Sequence, residues 1–391
     1  VALSPGATNN TLGGTAAGAG NLISANNRFG VYLLGGGTSG NVVQGNQIGT
    51  DAAGTAALGN TADGVALFSG AIGNTIGGTA AGAGNVISGN GRFGILDADN
   101  AAANNVFQAN LVGTDRTGSV AIPNAVDGIY LSGASGCQIG GTAAGAGNVI
   151  SGNGRFGIYL DGPGTSGNAI QGNKVGTAVN GTGAVGNGSS GVFVADGAAT
   201  NTVGGTVAGA ANVIAFNVGT GVVVGSSAAD TNTVGNAILR NSIHDNVFLG
   251  IDLGNDGTTP NGSGPNGPNH FQNFVVITIA TSDGIGGVNL TFMLTSTPNQ
   301  TYRIEFFVND TSDPSGFGQG QRFVGATALL VPGSGTASAT IHLGDSSTGI
   351  FPGQFISATT TDEFGNTSEF SADQIVMGVP KEGERRGVSP P

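Results

Sequence analysis

NTIGGTAAGAGNVISGNGRFG, residues 74–94, returns with small edits as NTLGGTAAGAGNLISANNRFG (10–30), CQIGGTAAGAGNVISGNGRFG (137–157) and NTVGGTVAGAANVIAFNVGTG (201–221). The copies start at Asn10, Asn74, Cys137 and Asn201, a nearly constant step. Self-similarity at a fixed period is the mark of a stacked architecture, in which each unit buries its apolar face only against its neighbours. A shorter period runs inside each unit. Gly-aliphatic-x-aliphatic recurs as GVYL (30–33), GVAL (64–67), GILD (94–97), GIYL (128–131), GIYL (157–160), GVFV (191–194), GVVV (221–224) and GIDL (250–253). Each such period holds two further aliphatic nodes, as in NTIGG and NVISGN. The apolar pairs sit at i and i+2, and glycine and asparagine interrupt every helical window. The chain therefore predicts an all-β fold: a right-handed parallel β-helix of about eight coils, three short strands per coil, over 1–253.

Composition agrees. Of 391 residues 76 are glycine, without a Gly-X-Y period, and only 9% are charged. Asparagine tolerates the left-handed backbone region at tight turns, and its amide can bond the equivalent amide one coil away. Asn85, Asn148 and Asn212 are expected to form one such ladder, and Asn41, Asn105, Asn168 and Asn232 another. Cys137, the single cysteine, stands where other copies have Asn10, Asn74 and Asn201, and is expected to be a buried ladder thiol. The formal net charge of −12 argues against a nucleic-acid surface. No apolar run reaches the roughly 20 residues needed to span a bilayer, so no membrane insertion is expected. Val1 aligns with Val65, so the chain opens in mid-coil, and without a signal peptide or initiator Met it reads as a mature or trimmed form. No cap precedes the first coil, which points to upstream residues or another molecule covering it.

The repeat stops after GIDL. Residues 254–270 form a Gly/Pro/Asn linker. From 271 to 378 the texture changes to longer alternating strands, FVVITIA, VNLTFML, TYRIEFFV, RFVGATALLV, ASATIHL, QFISATT and EFSADQIV, which predict an Ig-like β-sandwich. Residues 379–391 are a polar tail.

The repeats, followed by GIDLGNDGTTPN, FQNF, STPNQTYRIEFFVND, DPSGFGQGQRFVG and ISATTTDEFGNTSEFS, resemble the β-helix-repeat proteins of bacterial cell surfaces. That resemblance covers nearly the whole chain. It implies a secreted protein, extracellular or on the bacterial cell surface, whose solenoid precedes an Ig-like module. Relatives carry acidic residues after TPN, whereas Asn261 to Asn269 here hold none, so no calcium site is carried over.

Parallel β-helices also host polysaccharide lyases and hydrolases. A hydrolase needs clustered carboxylates flanking the glycosidic bond, and a lyase needs a basic residue near the sugar C5. The candidate catalytic carboxylates are Asp63 and Asp127, in equivalent positions two coils and nearly 10 Å apart at about 4.8 Å per coil. The bland reading is that both are solvated turn residues. GGGTSG at 35–40 matches GxGxxG formally but sits in a repeated turn and opens no helix. His244, His270 and His342 lack metal-ligand spacing, so neither metal nor other cofactor is expected.

Two rows are candidate ligand contacts. The outward slot of Gly-aliphatic-x-aliphatic holds Tyr32, Ala66, Leu96, Tyr130, Tyr159, Phe193, Val223 and Asp252. An exposed aromatic stripe suits stacking on sugar rings. The same rings serve equally as a ladder within the sheet, or lie under a loop or neighbouring subunit. Arg28, Arg92 and Arg155 recur every two coils and either match a periodic anion or balance nearby aspartates. The overall expectation is an extracellular structural or adhesion protein, a rigid rod with a spacer, cap or contact module, forming a homo-oligomer or polymer. A polysaccharide-binding protein, lyase or hydrolase is the alternative, with a polysaccharide as partner.

Overall fold

The computed structural model describes residues 1–99, 101–344 and 349–379. Most of the expected polar tail lies outside the described residues. From Ala2 to Leu253 the chain winds into a parallel β-helix of about eight coils with three sheets. The first sheet has nine strands, from Ala2–Leu3 to Ile251–Leu253. The second has eight, from Thr11–Gly13 to Ala237–Leu239, and the third eight, from Leu22–Ile23 to Ser242–His244. Equivalent residues stack in register, Val31 on Val65 and Leu131 on Leu160 in the first sheet. The inward aliphatics Leu33, Leu67, Ile95, Ile129 and Leu131 are fully buried. Among the described residues no helix is long and apolar enough to cross a membrane.

Glycine is required where coils touch backbone to backbone. A Cβ on Gly147, in the Ala-Gly corner, would lie 1.8 Å from the Gly172 carbonyl oxygen. On Gly94, ahead of a first-sheet strand, it would lie 2.6 Å from Val112 Cγ1 and from the Gly128 oxygen.

Three asparagine ladders run down the corners. The amide of each member donates to the side-chain oxygen of the next, as from Asn10 to Asn41 to Asn74 to Asn105, and from Asn168 through Asn201 to Asn236. The second ladder includes Asn85, Asn110, Asn148, Asn173, Asn212 and Asn241. The third, from Asn26 to Asn246, was not anticipated as a ladder. Asn232 is a correction: it is exposed, and the ladder position is Asn236, immediately ahead of Ala237–Leu239, because the longer loop before it displaces the alignment. Asn148 shows what one member does. Its Nδ2 donates to Asn173 Oδ1 (2.9 Å) and to the Phe107 carbonyl (2.8 Å), and its Oδ1 accepts from Asn110 Nδ2 (3.1 Å) and backbone N–H (2.9 Å). Replacing it by alanine strands buried groups on both neighbouring coils, so Asn148→Ala is expected to cost about 3 kcal/mol in urea unfolding. A loss below about 0.5 kcal/mol would remove the ladder from the account of stability.

The described residues from Val276 on form seven antiparallel strands in two sheets of three and four, Val276–Ser282, Val288–Thr295 and Thr336–Leu343 facing Thr301–Asn309, Arg322–Leu330, Phe355–Thr361 and Gln374–Ile375. Their inner faces share one core, in which Phe292 meets Phe306 edge-on at 5.1 Å. This Ig-like sandwich closes the solenoid's end. Phe307 and Phe370 join the solenoid's own apolar core. The orphaned N–H groups of the last coil are answered one sheet at a time. Leu253 donates to Glu369 Oε1 (2.9 Å), Ile238 to Thr367 Oγ1 (3.0 Å) and Arg240 to Glu305 Oε2 (2.8 Å), while Ile243 exchanges backbone bonds with Gly320. The third asparagine ladder ends on Gln319 Oε1, which accepts from Asn246. The first ends on Asn269, inside the stretch read as a linker. A solenoid end otherwise exposes unpaired strand edges, and here the sandwich pairs them.

Candidate functional site

The outward row of the first sheet forms as its spacing requires. Leu96 pairs with Tyr130, Tyr130 with Tyr159, Tyr159 with Phe193 and Val223 with Asp252. The expectation of an exposed stripe is corrected for part of the row. Phe193 is only 7% exposed, and Ala66, Leu96, Val223 and Asp252 are buried, whereas Tyr32, Tyr130 and Tyr159 are half-buried. The cover comes from the Arg-Phe-Gly turns. Phe156 stacks on Phe193 at 4.4 Å, Phe93 on Tyr130 at 4.8 Å and Phe29 on Tyr32 at 4.9 Å. Tyr32 makes its ring contacts with Phe29 and Phe68 and packs on the same Ala66–Phe93–Leu96 cluster as Tyr130, whereas Tyr130, Tyr159 and Phe193 touch ring to ring at 5.1 and 5.3 Å.

The turns also decide the arginines and the two candidate carboxylates. Arg92 lies over Phe93 and grips Asp63 with Nε (2.7 Å) and Nη2 (2.6 Å), while the Phe93 N–H donates to the same carboxylate. Arg155 repeats this over Phe156 with Asp127 at 2.9 and 2.6 Å. Asp63 and Asp127 are wholly buried, so the solvated-turn reading is corrected. Each is a structural anion neutralised by a bidentate guanidinium, with no open side for a substrate. Of the two readings of the arginine row, the structure has Arg92 and Arg155 balancing nearby aspartates, which leaves neither charge for a periodic anion. Arg28 lies over Phe29 at 4.6 Å.

What the stacking does gather is a cluster that the sequence reading passed over. Asp161 follows the inward Leu160, and its Oδ2 accepts the Tyr130 hydroxyl. Its Oδ1 accepts the Tyr159 hydroxyl at 3.2 Å, which also lies 3.4 Å from Asp196 Oδ2. Ser226 donates to Asp196 Oδ1 at 2.7 Å. Asp230 Oδ2 accepts the N–H groups of Asp196 and Ser226 at 2.7 and 3.1 Å. Asp196 and Ser226 are exposed, and Asp161 is half-buried. Burial, reinforced by the Asp161 carboxylate, pushes the Tyr130 phenol up to about 12. Burial and the charges of Asp161 and Asp196 push Tyr159 up as well. Both phenols therefore remain proton donors at any physiological pH. A signal for Asp161 was present. The residue after Gly-aliphatic-x-aliphatic is Leu34, Phe68, Ala98, Ser132, Asp161 and Ala195 in successive coils, and only one is acidic.

With fold and cluster together, the chain defines itself as a capped parallel β-solenoid carrying an aromatic–carboxylate face. No family model matches it, and no curated protein matches its sequence. Among solved structures it is similar to the enzymatically active domain of tailspike protein 2 of bacteriophage CBA120, at 11% identity over 96% of this chain and 70% of that one, with a TM-score of 0.33. It is also similar to full-length tailspike protein 2 from the Escherichia coli O157:H7 bacteriophage CAB120, at 10% identity over 97% of this chain and 64% of that one, with a TM-score of 0.25. Likeness of this degree carries no argument about what the chain does.

Proposed function

We propose that the chain is an extracellular rod that holds a neutral polysaccharide against the face formed by Tyr130, Tyr159, Asp161 and Asp196. The observation that carries this reading is the convergence of the two tyrosine hydroxyls on the two carboxylates. The uncovered parts of the half-buried rings offer apolar surface to sugar C–H groups, and carboxylate oxygens accept sugar hydroxyls. The coil spacing of about 4.8 Å is close to the length of one extended sugar residue, so successive residues meet successive coils. Both Asp161 oxygens already accept phenol protons, an arrangement that orients rings better than it delivers a proton to a leaving group. Binding is thus favoured over hydrolysis.

Neighbouring acids disfavour a uronate polymer, since Asp161, Asp196 and Asp230 would face its carboxylates. On an array of neutral glycans, wild type is expected to be retained, and Tyr159→Ala and Asp161→Ala to bind about tenfold more weakly with unchanged melting cooperativity. Retention equal to wild type in both variants would return the cluster to a purely structural role. The homo-oligomeric state expected of such a rod belongs to the same proposal. Sedimentation that returns only monomer at high concentration would take it out.

A further inference from the structure

The polar strip does not end at Asp196. Ser226, bonded to Asp196, lies two residues beyond Val224, and Asn255 lies two residues beyond Leu253, the register partner of Val224. Asn255 follows the same count one coil further on in sequence, and it lines a cleft of about 540 Å³. The solenoid contributes Thr220 and Asp252 to its lining, and the sandwich contributes the loop residues Asp313, Pro314 and Ser315. Phe248 also lines it and is 63% exposed. It stands two residues ahead of Gly250, the place that Arg92 and Arg155 hold ahead of Gly94 and Gly157. There the repeat replaces a guanidinium tied down inside the chain with a free aromatic ring. No basic residue is among the described lining, and both ionisable groups, Asp252 and Asp313, are acidic.

We infer that this cleft seats the terminal residue of a neutral polysaccharide whose preceding residues run along Asp196, Asp161 and Tyr159. This rests on the reading of the face given above. Phe248 supplies the stacking surface, Asn255 and Asp313 the hydrogen-bonding groups, and the sandwich loop closes the path. Because the sandwich caps the last coil and its loop lines the cleft, the site accepts chain ends in preference to chain interiors.

The test uses the full chain with cellohexaose, mannohexaose, xylohexaose and maltohexaose as probes, each also carrying a bulky fluorophore at one end or the other. For the hexasaccharide held best by wild type, Phe248→Ala is expected to weaken binding about tenfold. Since Phe248 is exposed, this variant folds as wild type. A label at one end, and only that end, should weaken binding comparably. If Tyr159→Ala weakens binding while Phe248→Ala binds as wild type, the cleft assignment falls and the face remains. If neither end label matters, chain-end selection falls. If no hexasaccharide is retained, both readings fall together.

Discussion

Raising the pH from 5 to 8 is expected to lower the folding stability of this chain by on the order of 4 kcal/mol, opposite to the usual behaviour of carboxylates. The main group is Glu369, which is 2% exposed and reaches from the sandwich into the last coil. Burial is the largest influence on it and drives its pKa from the ordinary 4.5 up to about 8. Bonds from the N–H groups of Leu253 and Thr259 pull the other way, and the neighbouring Asp252 adds to the rise. The sign follows from proton counts. Between these two values the folded chain holds a proton that the unfolded chain has released, so stability falls as pH rises. Full stability is present below about 4.5 and the loss is complete near 8, at about 1.4 kcal/mol per pH unit. Asp97, pushed by burial up to about 6, adds a smaller loss at the acidic end of the window. Urea midpoints at pH 5, 6, 7 and 8 measure the slope. Glu369→Gln should flatten it above pH 6 whatever it does to absolute stability. A midpoint that rises toward pH 8 in wild type would overturn the assignment.

The second large effect concerns Asp97 and Cys137. Asp97 occupies an inward slot that is Leu67 in the coil before and Leu131 in the coil after. A carboxylate there looks like an error until Cys137 is considered. The thiol stands in the first asparagine ladder, where Asn105 would find an amide oxygen to bond. Asp97 Oδ2 supplies the missing acceptor, taking the Asn105 amide at 2.9 Å and the Cys137 thiol at 3.4 Å. The other oxygen, Oδ1, is buried without a partner. The two departures from the repeat therefore compensate each other. Cys137→Asn alone should draw Asn105 back into the ladder and leave Asp97 a buried carboxyl without donors, at a cost of about 2 kcal/mol at pH 7. Asp97→Leu with Cys137→Asn restores both an apolar stack and a continuous ladder, and is expected to match or exceed wild type. The four corners of this cycle, measured by urea unfolding, should show a coupling of about 2 kcal/mol or more. Additive effects within about 0.5 kcal/mol would mean that the two residues are independent.

The legible part of the fold is the part governed by local rules repeated many times. Gly-aliphatic-x-aliphatic placed the inward Leu33, Leu67 and Leu131 correctly, and the same spacing aligned Tyr130, Tyr159 and Phe193 on successive coils. Asparagine before each strand announced two ladders, misplaced only at Asn232, where a longer loop shifts the count. The site was harder to see. Asp161 broke the repeat by one side chain, and its importance depends on Asp196 and Ser226, which the chain reaches only on later coils. Asp63 and Asp127 looked like turn residues because nothing adjacent in sequence covers them. Arg92 and Arg155, each one coil later, bury them.

By itself, then, the sequence determined the solenoid, its coil length, its inward residues and the aromatic row, because each is a periodic pattern set by turn chemistry and strand alternation. Only the tertiary structure decided which outward rings are covered, which carboxylates are neutralised, and that the sandwich is the solenoid's cap. Those outcomes depend on side chains that meet from one coil to the next, and on Glu369, Phe370 and Gln319 meeting a coil laid down much earlier in the chain. The docking of one domain on another leaves no period in a chain for sequence reading to find.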